Sequence, residues 1–307
     1  MTNPELVHKG STKDVYRLGE HYLFKFSDRY SVFDWGEMPD QLAGKGIALA
    51  RFTKTVYALL GEQGVKHHLV DLAAAENEIV VRPYRVVRDQ EVLPREENVF
   101  IPLEVIFRLG VPKGSSLLKR FPGKYQENQM FDHPMIEFTT KLERFDRPLT
   151  HEEAREISNL NGVEWGNLLS TTVKIALALQ EMFAMSNIAL WDGKVEFAAG
   201  EGDNREIILV DSIGPDELRL TKNGVQLSKE IIRQYYKASE WYARLDESKM
   251  KYGENFKDYL PAPEKLQREF KSAVEELYQL LPELVTNSTT TELRLQKLLP
   301  KLSGRPA

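Results

Sequence analysis

No cysteine occurs anywhere in the chain, so disulfides, thiolate metal sites and a cysteine nucleophile are excluded. No uncharged apolar run reaches membrane-spanning length, and the opening MTNPELVHKGSTKD lacks the apolar core and cleavage site of a leader. The expectation is a cytoplasmic protein with no membrane partner. Basic residues are outnumbered, 41 Lys and Arg against 46 Asp and Glu, which leaves no bulk field attractive to nucleic acid. The six histidines have no HExxH or other ligand spacing, and the serines no G-x-S-x-G elbow, so a zinc site and an acyl-serine hydrolase both lack support. What remains is an ordinary globular composition, 42% hydrophobic and 28% charged over 307 residues. That length suits one large domain or two joined lobes.

Alternation from Asp14 to Phe26 predicts a hairpin turning at Gly19-Glu20, and Ile47, Phe52, Val56, Leu59 and Leu60 predict a helix that starts just after Gly44-Lys45-Gly46. EIVVRPYRVV and VFIPLEVIFR read as an antiparallel pair joined by the charged loop RDQEVLPREEN, completing a small N-terminal sheet. Thr150 and Glu153 have capping-box spacing. A helix from about Trp165 to Met185 would carry Leu169, Val173, Ala176, Leu177, Gln180 and Phe183. IALWDGKVEFA and EIILVDSI then read as two strands of similar length joined at GEGDNR, although Asp192-Gly193 is itself a hairpin signal. From Ser228 the chain reads as helical, with Leu266, Phe270, Ala273, Val274, Leu277 and Leu281 on one face of a helix starting at Pro263. The tail beyond Pro282 would cap a neighbour or fray. The class is α+β, with an N-terminal β-rich nucleotide-binding lobe over residues 1–110 and an α+β lobe with C-terminal helices over 111–307.

Three stretches carry chemistry. Lys9-Gly10-Ser11-Thr12-Lys13 combines ammonium groups, hydroxyls and a flexible backbone able to hold phosphate oxygens, though a solvated turn has the same composition. Lys45 stands at a helix start, where unpaired N–H groups and a positive charge favour an anion. It belongs to no Walker A pattern, and Gly-Lys-Gly is also a plain flexible turn. Asp192, Lys194 and Glu196 fall on one face of one strand, and Glu196 is expected to meet Asp211 on the next. Opposed like charges are costly unless a cation bridges them, so these carboxylates suit Mg²⁺ on ATP phosphates; a mixed-charge sheet edge is the plainer alternative.

Taken in order, KGSTKDVY, SDRYSVFDWG with AGKG, IPLEVIFR, TTKLE, DGKVEF, VDSIGPDELRL and SKEIIRQ resemble the SAICAR synthetases, the phosphoribosylaminoimidazole-succinocarboxamide synthases. The resemblance runs from about Leu6 to Tyr236. It implies a small antiparallel lobe over an ATP cleft. It also implies a carbon-nitrogen ligase of purine synthesis that uses ATP and Mg²⁺ and takes small-molecule substrates. A ribotide carboxylate would accept the γ-phosphoryl group of ATP and L-aspartate would then displace phosphate. By position it assigns Lys9, Gly10, Lys13 and Arg82 to the nucleotide, and Glu196 and Asp211 to the metal. Arg108, Ser115, Ser116 and Arg219 would grip the ribotide phosphate, with Lys45 also on the substrate side, and Asp34, Lys194 and Asp216 would line the reacting centre. The family's GKxK is Gly10-Ser11-Thr12-Lys13 here, the turn after Arg108 is longer, and the acidic pair of VDE becomes Asp211-Ser212. A paralogue with another azole or ribotide carboxylate, and a non-catalytic nucleotide-binding relative, are both compatible with those departures. A kinase-like phosphotransferase lacks its H-R-D and D-F-G elements. Oligomeric state is not readable from the sequence.

Overall fold

The computed structural model describes residues 4–88, 92–143, 146–285 and 289–303. These sort into two compact units, one formed by residues up to Phe52 with Asp71–Val80 and the chain from Thr221, the other by Thr53–Val70 and Val81–Leu220. Position 110, where the two lobes were expected to meet, lies inside the single strand Leu103–Val111.

In the first unit the antiparallel strands Glu5–Lys9, Lys13–Leu18 and His21–Phe26 follow one another, with Gly19 at φ 60 in the tight turn of the expected hairpin. Strand Glu78–Val81 lies next to His21–Phe26, and Asn77 secures it by accepting from the Phe26 amide and donating to the Phe26 carbonyl. The C-terminal part of this unit is helical, over Glu230–Lys237, Glu240–Tyr252, Arg268–Leu284 and Thr289–Ser303. The expected apolar stripe is buried, from Leu266 to Leu281. The helix, however, begins at Arg268 and not at Pro263. Its N-cap, Gln267, makes no side-chain hydrogen bond to the free amides, so capping does not account for the later start. The tail beyond Pro282 forms a helix packed on Arg268–Leu284, with residues 286–288 and 304–307 outside the described set.

The second unit is built on a larger sheet in which Ala189–Ala199, Leu103–Val111, Gln129–Thr140 and Pro148–Leu149 are neighbours in that order. Strand Ile207–Val210 pairs antiparallel with Ala189–Ala199 through the predicted loop. It has four residues against eleven, so the two strands are not of similar length. Gly193 sits mid-strand and not in a turn, and glycine is needed there because a Cβ would lie 2.5 Å from the Phe107 ring. The expected pairing of EIVVRPYRVV with VFIPLEVIFR does not form. Pro83 and Pro102 interrupt the two stretches, Leu103–Val111 pairs instead with Ala189–Ala199 and Gln129–Thr140, and a single parallel bridge joins Arg85 to Val99. Residues 89–91 of the expected connecting loop lie outside the described set.

Alternation gives this sheet two faces. Val105, Phe107, Val195 and Phe138 point to one, beneath helix Gly162–Ala184, whose Trp165 ring lies 5.0 Å from that of Phe138. The helix buries Leu168, Thr172, Ile175, Leu179 and Met182 together with Ala176 and Phe183 of the expected stripe, and leaves Leu177 exposed. Its rotation is fixed at the start. Glu164 closes a capping box with Asn161 and, wholly buried, accepts from the guanidinium groups of Arg205 and Arg95. Glu104, Arg108, Glu137, Asp192, Lys194 and Glu196 occupy the opposite face.

Candidate functional site

The charged face of the second unit forms two clusters. In the first, Arg108 is nearly buried and donates through Nε to Glu137 and through Nη1 to Asp192 at 3.0 Å. Arg120 binds the other oxygen of Glu137 at 2.6 Å, and Arg219 reaches Asp192 at 3.5 Å. Burial alone would push the Glu137 carboxyl up, yet Arg108 and Arg120 hold it below the usual carboxylate range. Ser115 caps the short helix Ser116–Arg120 by accepting from the Leu117 amide, which brings Ser116 Oγ to 3.5 Å from Arg108 Nη2. Three guanidinium groups are thus stitched together by two carboxylates, a planar donor array suited to a phosphate.

The second cluster lies four residues along the same strand, roughly 13 Å at about 3.3 Å per residue. Lys141 bridges Glu196 at 2.6 Å and Glu104 at 2.9 Å, and Lys194 also binds Glu104. Burial works against the charge on Lys141, but Glu196, Glu104 and Asp211 more than offset it and keep the ammonium protonated. Lys194 is likewise raised, with Glu104 and Glu196 outweighing burial and the repulsion of Lys141. Glu104 is lowered, its two lysines overcoming burial. Glu196 moves the other way: burial, then the nearby charge of Asp211, raise its carboxyl above the ordinary value.

Glu196 pairs in register with Val210, so Asp211 stands one residue past the expected cross-strand meeting, beyond the end of the strand. Its backbone turns left-handed there, φ 66, which costs about 1–2 kcal/mol for an L-residue. Glu196 and the nearby charge of Asp211, which helps raise the Glu196 carboxyl, could hold a divalent cation between them. Among the described residues no group of three or more His, Asp or Glu side chains could hold a metal. The pair therefore suits an ion that brings other oxygen ligands with it, as Mg²⁺ does on nucleotide phosphates.

The first unit holds the other candidates. Gly10 closes a tight turn on Lys13, donating to its carbonyl at 3.0 Å, and a Cβ on Gly10 would lie 2.5 Å from that oxygen. Arg29 binds the Gly10 carbonyl at 3.0 Å and Asp14 at 2.5 Å, while Ser27 donates to the Thr12 carbonyl at 2.8 Å. The Lys13 ammonium lies 4.8 Å from the centre of the Phe24 ring, and Lys9 is exposed. Phe33 and exposed Asp34 are consecutive left-handed residues, at φ 56 and 58, tied by Lys249 to the Phe33 carbonyl and the Asp34 carboxylate. Lys45 is fully buried with its ammonium 5.3 Å from the centre of the Tyr278 ring. The anion at that helix start is Asp28, which accepts from the amides of Gly44 and Gly46 at 3.2 and 2.9 Å. In the second unit Arg82 is exposed and its amide donates to the His68 carbonyl, and Asp216 is half-buried beyond the Asp211 turn.

A SAICAR synthetase family model matches residues 6–248. The chain belongs to the SAICAR synthetase family. It is 34% identical to a putative phosphoribosylaminoimidazole-succinocarboxamide synthase of Archaeoglobus fulgidus, over 90% of this chain and 93% of that protein. It is 33% identical to the synthase of Thermoplasma acidophilum, over 92% and 98%. Among solved structures, a SAICAR synthetase in complex with ADP superposes with a TM-score of 0.62 at 25% identity, covering 84% of this chain and 99% of that one. The Saccharomyces cerevisiae SAICAR synthase, at 22% identity and TM-score 0.69, covers 93% and 95% and shows the shared α+β fold. As a SAICAR synthetase the chain is a ligase of purine biosynthesis. No described helix is long and apolar enough to cross a membrane.

Sequence reading did not single out Lys141, Glu104, Glu137 or Arg120. The first two lie within TTKLE and IPLEVIFR, segments that carry the SAICAR synthetase resemblance, so a signal for them existed. Glu137 had none, because Pro134 interrupts its strand where the register against Leu103–Val111 shifts.

Proposed function

We propose that the charged face of the second unit binds a ribotide, its 5′-phosphate at Arg108, Arg219, Ser115 and Ser116 and its azole carboxylate toward Lys194 and Glu196. The observation that carries this reading is the pairing, on one sheet face, of a guanidinium cluster with a carboxylate–lysine cluster. Glu196 and Asp211 would hold Mg²⁺ on ATP, which when bound supplies charge neutralisation to the phosphoryl oxygens. Lys9, Gly10, Lys13 and Arg82 are assigned to nucleotide phosphates, following the family likeness. Asp34 and Asp216 are assigned to the reacting centre on the same ground.

The ribotide carboxylate oxygen attacks the γ-phosphorus, and ADP leaves. The amine of L-aspartate then attacks the acyl carbon, phosphate departs with the C–O electron pair, and the amine gives up a proton. A carboxylate oxygen is a poor leaving group and phosphate a good one, so the protein's work is to align reactants and neutralise charge. Lys194 and Lys141, held as ammonium ions by Glu104 and Glu196, suit that role. ADP release measured with ATP, carboxyaminoimidazole ribotide and L-aspartate, each omitted in turn, tests the reading. Release is expected only with all three. Release that persists without L-aspartate or without the ribotide overturns it.

A further inference from the structure

The left-handed turn at Asp211 is gripped by the segment from Thr53 to His68. Tyr57 is wholly buried, and its hydroxyl lies 3.0 Å from the Asp211 carbonyl and 3.1 Å from that of Val210. His68, almost as buried, places Nε2 2.9 Å from the same Asp211 carbonyl. A carbonyl only accepts, so His68 carries its proton on Nε2 in this contact. On either side, the His68 amide donates to the Leu209 carbonyl at 3.0 Å and the Thr53 hydroxyl donates to the Ile213 carbonyl at 3.2 Å. The aromatic groups brace each other: Tyr57 stacks on His67 with centroids 5.0 Å apart and meets the edge of His68 at 5.9 Å.

An aspartate with φ 66 is held in a sparsely populated conformation only where its surroundings over-determine it. Here two buried side-chain donors converge on the one carbonyl that fixes where the carboxylate projects. A bend needed only to end a strand is usually assigned to glycine, which adopts this φ without penalty. Retaining aspartate and supplying donors to hold it makes sense where the carboxylate must stay beside Glu196.

We propose that Tyr57 and His68 are positioning residues for Asp211: by binding its carbonyl they hold its carboxylate beside Glu196, ready to share a divalent cation. This rests on the metal-binding reading above. Neither side chain touches the cation or the substrates in the proposal. Both act through the backbone carbonyl, and loss of the outer partners of metal ligands typically costs about 10–100-fold in metal affinity.

The test uses the full chain, with Mn²⁺ as probe in the presence of ADP and binding read by electron paramagnetic resonance, independently of turnover. Tyr57→Phe and His68→Leu are each expected to weaken Mn²⁺ binding about tenfold or more, while His68→Gln, which keeps an N–H donor, recovers most of the loss. The KM for the ribotide should stay near the parent value in all three. Asp211→Asn, run alongside, separates the two levels of inference. If it leaves Mn²⁺ binding intact, the metal reading fails and takes the clamp with it. If it abolishes binding while Tyr57→Phe and His68→Leu bind as the parent does, the clamp alone is overturned. A uniform loss of Mn²⁺ and ribotide affinity in proportion to a fall in Tm, with no recovery in His68→Gln, assigns the pair to stability and also overturns it.

Discussion

The two stretches of cationic chemistry in this chain are organised in opposite ways. On the sheet face of the second unit, every charge described is set by a partner: Lys141 by Glu196 and Glu104, Lys194 by Glu104, Arg108 by Glu137 and Asp192. In the Lys9–Lys13 turn of the first unit, the geometry is fixed through the main chain, by the Gly10 amide on the Lys13 carbonyl and by Arg29 and Ser27 on neighbouring carbonyls. Lys9 itself faces solvent. A side chain removed from the face strands a half-buried opposite charge, whereas one removed from the turn leaves the backbone frame standing. Substitutions on the face should therefore disturb folding and activity together, and those in the turn activity alone.

The largest expected effect breaks that coupling on purpose. Asp211→Asn keeps the size of the side chain and a residue type that tolerates left-handed backbone, but removes a hard anionic ligand. It should lower kcat on the order of a hundredfold while the Tm stays within a few degrees, because outer partners alone are worth about 10–100-fold and a direct ligand at least as much. Steady-state rates across a Mg²⁺ titration check this, and near-normal turnover at limiting Mg²⁺ removes Asp211 from the site. Relief of Glu196, whose carboxyl is pushed up by burial and then by Asp211, should offset part of any stability cost.

Glu104→Gln tests the structural side. It leaves Lys194 and Lys141 short of a shared anion, at a cost of about 1–3 kcal/mol at neutral pH. The sign of the pH dependence is set by the lowered carboxyl of Glu104. Its contribution is full above the ordinary value of 4.5 and is lost as pH falls through the lower, folded-state value. Urea midpoints of parent and variant should therefore differ most near neutrality and converge in acid. A gap that widens as pH falls contradicts the ion-pair geometry. Arg108→Lys comes next in size. It retains charge but cannot reproduce the donors that span Glu137, Asp192 and a phosphate, and should raise the KM for the ribotide about tenfold. An unchanged KM ends the phosphate assignment.

The N-terminal hairpin, the capping box at Thr150 and the C-terminal apolar stripe were legible because each depends on residues close in sequence. So was the strand carrying Asp192, Lys194 and Glu196 on one face, a matter of simple alternation. Pairing was not. Nothing local in IPLEVIFR says that its partners are residues 189–199 and 129–140 and not EIVV, since strand partnership is decided by distant segments and by where prolines break the ladder. The same blindness hid Glu137, Arg120 and the Tyr57–His68 grip, none of which has a motif. In helix Gly162–Ala184 the expected Ala176 and Phe183 are buried, but Leu177 is exposed while Leu168, Ile175 and Leu179 take the core. At Lys45, the helix start that reads as an anion site carries the Asp28 carboxylate on its Gly44 and Gly46 amides, a contact between residues 16 and 18 positions apart that no local motif announces.

The smallest expected effect lies in the turn. Lys9 ends an exposed strand, and the family's usual lysine at the next position but one is Ser11, so Lys9 is the cation available to compensate from solvent. A solvent-exposed charge acts across high dielectric and is screened within a Debye length of about 8 Å at physiological ionic strength. Lys9→Met should accordingly raise the KM for ATP only about two- to threefold in low salt, corresponding to well under about 1 kcal/mol. Raising the salt should bring parent and variant together, since screening weakens the parent's attraction and not the variant's. No change in Tm is expected, because the Lys9 side chain is exposed. If the Lys9→Met deficit instead persisted undiminished at high salt, the lysine would be making a short, desolvated contact with its ligand. The turn would then have to be classed with the sheet face, as a site where charge is set by a close partner.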